Sequence, residues 1–130
     1  MKNIDSLYAP KAIGPYSQAI RTGQLLYCSG QTPLEPGSMT ICAPDIGGQT
    51  RRVLQNLATV LQQAGLTLFD VVKTNVYLSD MDNFSGMNLA YEGCFGTHRP
   101  ARTTVAVKGL PHNALVEIEC IAEFMHNADQ

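Results

Sequence analysis

Arg102 is the residue whose type and setting point most directly to chemistry. It sits in Ala101-Arg-Thr-Thr-Val-Ala-Val107, a run of small and β-branched residues that predicts a strand. A second alternating run, Ala114 to Phe124, follows the breaker cluster Lys108-Gly-Leu-Pro-His-Asn113. Alternation places Ala101, Thr103, Val105 and Val107 on one face of the first run, and Arg102, Thr104 and Ala106 on the other. In the second run Ala114, Val116, Ile118, Cys120, Ala122 and Phe124 form an apolar face; Leu115, Glu117, Glu119, Ile121 and Glu123 line the opposite one. Arg102 is either a solvated or salt-bridged strand arginine, or a fixed guanidinium fork for a small carboxylate, whose geometry its paired donors match. Glu117 is either an edge-strand solubility charge or an acid–base group beside a ligand. A simple hairpin turning near Gly109 would bring Arg102 close to Glu117 or Glu119 as a structural ion pair. Spacing alone leaves these alternatives open.

Other chemistries lack their residues. There is no G-x-G-x-x-G, no G-x-x-x-x-G-K-[ST] and no G-x-S-x-G elbow, and no histidine stands beside a plausible serine or cysteine nucleophile. His98, His112 and His126 lie far apart in loops or the tail, with neither H-x-x-x-H nor H-E-x-x-H, so no structural metal is expected. What is left is noncovalent proton chemistry on a small anion.

The positioning elements come from one expected domain spanning residues 1–130, large enough to bury a core without staples. A net charge of -2 and a pI near 5.8 argue against a broad nucleic-acid or anionic-membrane footprint, and Arg51-Arg52 is the only adjacent basic pair. Only 15% of residues are charged, so part of the surface is expected to be covered in a homo-oligomer. Cys28, Cys42, Cys94 and Cys120 form no C-x-x-C, which predicts a reduced, cytoplasmic protein. The N-terminus shows no apolar h-region, and no stretch approaches a membrane span.

Residues 1–16 read as irregular or edge structure ending in the Gly14-Pro15 turn, with Tyr16 either packed at a strand start or presented to a pocket. Ser17–Thr22 and Leu25–Gly30 predict a hairpin about Gly23-Gln24. At Ser29-Gly30 the glycine permits either a bulge or close approach of a ligand. Residues 32–45, with three prolines, predict a surface loop. Val53, Leu57, Val60, Leu61 and Ala64 predict a helix over 46–64, capped by Asp45 and closed by Gly65. Val71–Leu78 is a β-branched strand, completing a βαβ unit. A second helix opens at 79–83, capped by Asp80 or Asp82, with Phe84, Met87, Asn88, Tyr91 and Phe95 on one face. Asn88 is either a boundary residue or a support near a ligand.

Six motifs occur together in order: Ala12-Ile-Gly-Pro-Tyr16, Ser29-Gly-Gln31, Val72-Lys-Thr-Asn-Val76, Asn88-Leu-Ala-Tyr91, Pro100-Ala-Arg102, and Leu110-Pro through Val116-Glu-Ile-Glu119. In this the chain resembles the RidA family, the reactive intermediate deaminases also called YjgF-like proteins, over nearly its whole length. The resemblance implies an α+β, chorismate-mutase-like (ferredoxin-related) fold: a mixed β-sheet with two α-helices packed on one face. It also implies a homotrimer with clefts between subunits, and a strand of the βαβ unit separating the last two strands, so that Arg102 and Glu117 meet across or beside a cleft. The implied substrate is a small carboxylate-bearing imine or enamine such as 2-aminoacrylate, hydrolysed to a 2-keto acid and ammonia without a cofactor. In that reaction Arg102 would clamp the carboxylate, Glu117 would hold or activate water, and Tyr16 would close one wall of the pocket. Ser29 and Gly30 would offer hydroxyl or backbone contacts, Asn88 a supporting hydrogen bond, and the Thr104 hydroxyl would line the pocket. Two departures stand out. Thr104 occupies a position where many members have cysteine, and Arg99-Pro-Ala-Arg replaces the more usual Phe-Pro-Ala-Arg, signalling a different preferred substrate. The alternatives are a noncatalytic 2-keto acid sensor using the same Arg102 pocket, an endoribonuclease or translation inhibitor as attributed to some relatives, and a stress-related holdase. No membrane and no nucleic acid partner is expected.

Overall fold

The first hairpin forms because Gly23 supplies the left-handed backbone (φ 58°) that a two-residue turn requires. In a computed structural model, which describes residues 1–124 and so leaves His126 outside it, β2 (Ala19–Thr22) and β3 (Leu25–Gln31) pair antiparallel with Thr22 opposite Leu25. A short β1 (Lys2–Ile4) adds to the outer edge.

The chain next forms α1 (Ile46–Gln63), whose Gly48 N–H donates to the Asp45 carboxylate at 3.0 Å. Its C-terminus closes in a Schellman pattern: Gly65 N–H reaches Gln62 O and Leu66 N–H reaches Leu61 O, both at 2.9 Å, with Gly65 at φ 83°. Val53, Leu54, Leu57, Val60 and Leu61 are buried along one stripe, each gaining about 1.5–3 kcal/mol from leaving water. Next come β4 (Val71–Leu78) and α2 (Phe84–Phe95). Of the two proposed caps, Asp80 is the one that acts, accepting from Asp82 N–H at 2.8 Å in a short 3-10 turn ahead of α2.

The last strands, β5 (Ala101–Ala106) and β6 (Val116–Glu123), are not neighbours. The six-stranded sheet runs β1-β2-β3-β6-β4-β5, with β4 parallel to β5 and antiparallel to β6. This is the expected mixed sheet, and both helices contribute to the core against one of its faces. It corrects the simple hairpin reading of the final strands. A parallel β4–α2–β5 crossover keeps β5 at the edge, and β6 inserts between β3 and β4, splitting the first βαβ unit.

Residues 32–45 are less superficial than their prolines imply. The buried Asn56 of α1 donates to Thr32 O at 3.2 Å and Leu34 O at 3.0 Å, and Leu34 is buried. A long-range amide clamp of this kind leaves no mark in local periodicity.

Candidate functional site

Sheet register decides where each candidate residue points. Thr74 and Val76 of β4 are buried under the helices, and their parallel partners on β5 are Arg102 and Thr104. These two therefore face the helical layer, where the Arg102 guanidinium carbon lies 4.9 Å from the ring centre of Tyr91 and 5.8 Å from that of Phe84. Glu117 of β6 is paired with Tyr77 of β4, one residue out of phase with the buried Val76 and Leu78. Its side chain leaves from the opposite, helix-free face. Within one chain, then, the sheet separates Arg102 from Glu117.

The arginine half is a cavity of about 350 Å³ lined by Asn88, Tyr91, Glu92, Arg99, Pro100 and Arg102. Tyr91 is fixed by a 2.8 Å hydroxyl contact with Thr74, and burial pushes its phenol above the usual range, so its ring is a neutral platform for the guanidinium. Among the described residues no carboxylate pairs with Arg102. Asn88 Oδ1 and Thr104 Oγ1 are buried without a hydrogen-bond partner. Buried polar atoms are normally satisfied. An unpaired guanidinium beside two orphan oxygens is the arrangement of a site that expects a polar ligand. Asn88 and Arg102 are thus brought together in one cavity, whereas Thr104 shares the strand face of Arg102 but is not among the residues that line it.

The carboxylate half is a cavity of about 550 Å³ on the other face, where Tyr16, Ser29, Gly30 and Glu117 meet His112 and Glu119. A β-bulge makes room for it: Cys28 pairs with Cys120 but Gln31 with Ile118, so Ser29 and Gly30 together oppose Glu119. The Glu117 carboxylate lies directly over Gly30, and a methyl group placed there would overlap its Oε2 and stand 3.0 Å from its Cδ. Of the two options at Gly30, bulge or close approach, both are realised, and the approaching group is Glu117. Burial first, and the neighbouring Glu119 second, push the Glu117 carboxyl above its ordinary range. Glu119 is itself engaged by Asn75 Nδ2 at 3.0 Å and by the Tyr77 hydroxyl, whose pKa is raised by burial and by that carboxylate.

Ser29 offers less than its sequence position promised. Its N–H donates to Gln18 O at 2.9 Å and its hydroxyl to Ser17 O at 2.6 Å, so both of its donors are used and it can offer a ligand acceptors only. Tyr16 is half-exposed, its hydroxyl accepting from Ile13 N–H at 3.3 Å. The loop that carries it is held by the buried Gln18, whose amide bonds Ser6 through both N–H and carbonyl and Pro10 through its carbonyl. Gln18, Glu119 and His112 were not among the expected site residues. The available signal for His112 was the Pro-His-Asn breaker, which reads as an ordinary turn; His112 and Asn113 in fact adopt left-handed backbone (φ 60° and 55°) at the cavity.

Comparison with known proteins bears on the fold. The family model described as endoribonuclease L-PSP matches residues 6–124. A RutC family protein of Pyrococcus horikoshii is 50% identical over 114 residues, which is 88% of this chain and 90% of that protein. The crystal structure of YyfA, a conserved Rid family protein of Yersinia pestis, superposes with a TM-score of 0.90 at 48% identity, covering 94% of this chain and 98% of that one. The crystal structure of E. coli TdcF with bound serine gives a TM-score of 0.91 at 36% identity, covering 96% and 100%.

Proposed function

Because the chain belongs to the RidA (YjgF-like) family, whose model carries the description endoribonuclease L-PSP, we propose that it hydrolyses small 2-imino acids to 2-keto acids and ammonia. The observation that carries this reading is the unpaired Arg102, held on Tyr91 beside the orphan Asn88 oxygen. A guanidinium so placed takes a carboxylate bidentately and orients the C=N bond next to it. Serine bound to the related TdcF is a small carboxylate of the same kind.

The imine reacts as its protonated iminium: water adds to the carbon as one of its protons passes to Glu117, giving a neutral carbinolamine. Glu117 returns that proton to nitrogen, ammonia leaves, and the carbinol hydroxyl gives its own proton to the Glu117 carboxylate as the carbonyl forms. An enamine enters by taking a proton at carbon to become the imine. Burial first and Glu119 second raise the Glu117 pKa, which makes its carboxylate a stronger base for the proton it receives. Arg102 and Glu117 leave opposite faces of the sheet, so a complete site takes Arg102 and Asn88 from one copy and Tyr16, Ser29, Gly30 and Glu117 from another, as in a homotrimer. No cofactor enters this chemistry. Cysteines present as free thiols suit a reducing compartment such as the cytoplasm, and no helix among the described residues is long and apolar enough to cross a membrane. The endoribonuclease reading fits the carboxylate half poorly: Glu117 and Glu119 side by side would repel a phosphate backbone.

The test generates 2-aminoacrylate with a pyridoxal-phosphate dehydratase and follows its trapping by semicarbazide. Wild type should suppress trapping; saturable 2-keto acid binding without suppression would instead support the sensor. Gly30→Ala should lower kcat by about ten- to a hundredfold, because the new methyl group drives the Glu117 carboxylate aside while the hairpin fold persists. Unchanged kcat in that variant would show that the carboxylate position is unimportant.

A further inference from the structure

The Arg102 cavity holds a second guanidinium that the mechanism above does not use. Arg99 and Glu92 line it together with Arg102, so its wall carries two cations and one carboxylate. Arg99 is not a loose surface arginine. Its Nη2 donates to Glu92 Oε2 at 3.0 Å, and its Nη1 donates to His98 O at 3.1 Å and to Gly96 O. These contacts use three of the five guanidinium donors and fix the plane of the fork. The loop beneath is anchored as well: His98 Nε2 donates to Val71 O at 2.6 Å, and its ring lies 5.9 Å from that of Phe69 and 6.1 Å from that of Phe95.

The partner of Arg99 is replaceable. The side chains of Arg99 and Glu92 are 60% and 64% exposed, and an ion pair so open to water contributes little of its own. A ligand carboxylate arriving in the cavity therefore meets a preorganised fork whose present partner is easily displaced or shared. With Arg102 holding the carboxylate next to the reacting carbon, Arg99 stands three residues earlier on the same wall, ready for a second one. A cavity of about 350 Å³ has room for a short-chain diacid.

We propose that Arg99 is a specificity residue and that the preferred substrates are 2-imino dicarboxylates, with Arg102 taking the first carboxylate and Arg99 the side-chain carboxylate. This rests on the imine-hydrolysis reading above and names its substrate class. The supplying reaction would be two-electron oxidation of an acidic amino acid by an amino-acid oxidase, or loss of water from a β-hydroxy acidic amino acid, and the product a 2-keto diacid.

The test compares imines made in situ by amino-acid oxidases, with catalase present, from aspartate and glutamate, from alanine, and from arginine. For each enzyme the readout is the ratio of kcat/KM values between substrates, which cancels differences in folded fraction. Wild type should favour the dicarboxylic over the monocarboxylic imine by roughly tenfold, the scale of one charge-assisted hydrogen-bonded contact. Arg99→Gln should collapse that ratio, and Glu92→Gln, which frees the fork, should raise it. Added salt should shrink the preference because the subsite is exposed. A wild-type ratio near one, a ratio unmoved by Arg99→Gln, or a preference for the cationic imine that disappears in Glu92→Gln would overturn the proposal while leaving imine hydrolysis standing. If wild type consumes none of these imines, the hydrolase reading falls. Binding of oxaloacetate and 2-oxoglutarate relative to pyruvate, in wild type and Arg99→Gln, then tests the subsite alone: a diacid preference that depends on Arg99 keeps it, and equal binding ends it.

Discussion

Arg102→Ala should lower kcat/KM for imine hydrolysis by about 10²–10³-fold while the protein stays folded. Truncating one side of a desolvated, hydrogen-bonded charge pair costs about 2–5 kcal/mol, and here the other side is the substrate carboxylate. The loss has two sources. The substrate is held less tightly, and a molecule free to rotate presents its C=N bond to water in the wrong orientation. The fold should tolerate the change because Arg102 pairs with no carboxylate among the described residues and lies on the edge strand β5, stacked against Tyr91 rather than locked into the core. Arg102→Lys should recover little of the loss. An ammonium keeps the charge but has neither the flat stacking surface nor the two parallel donors. Steady-state kinetics with the semicarbazide trap, beside circular dichroism and a thermal melt, would check this. Activity of Arg102→Ala within about fivefold of wild type would remove the carboxylate clamp from the account.

Glu117→Gln should cost about 10²–10⁴-fold in kcat, the usual range for removing a positioned acid–base group. Its effect on stability should run the other way. The folded protein holds the Glu117 carboxyl above its ordinary pKa, through burial and then through Glu119. A raised folded pKa means that the native state binds the proton more tightly than the unfolded chain does. The stability this group contributes is therefore fully present below the unfolded pKa and is lost as pH rises through the folded one. At neutral pH the wild type carries a half-buried charge that the neutral amide of the variant lacks, so denaturant melts should find the variant at least as stable there. The advantage should vanish in acid. Activity that is lost together with stability at neutral pH would point to a structural role instead.

The same substitution tests the assembly of the site. Arg102→Ala and Glu117→Gln subunits, each inactive alone, should regain activity when they are co-folded. In a randomly mixed ring, about a quarter of the interfaces join an intact Arg102 to an intact Glu117. A site made within one chain would recover none.

Much of this protein was legible locally. The Asp45 cap, the Gly65 terminator, the Val71–Leu78 strand and the apolar face of β6 follow from signals a few residues apart, and the structure places them as the spacing predicts. Gly30 was legible as an opening for something, because a glycine at a strand end permits close approach. What approaches it could not be read, since Glu117 lies 87 residues further along and is brought there by strand pairing. Gln18 and Asn56 were invisible for the same reason: a buried amide that ties down a distant loop has no local pattern.

The sequence by itself determined the main helices and strands, the membership of each strand face, and which groups are candidates to clamp an anion and move a proton. Alternation does this because successive side chains of a strand must point to opposite sides. It says nothing of how the faces of two strands are phased. The family resemblance already implied a strand between β5 and β6; only the tertiary structure decided the register, with Thr74 beside Arg102 and Tyr77 beside Glu117. That register puts the arginine under α2 and the glutamate on the helix-free face. Backbone hydrogen bonding across the sheet is nonlocal, and a shift of a single residue would have reversed the assignment.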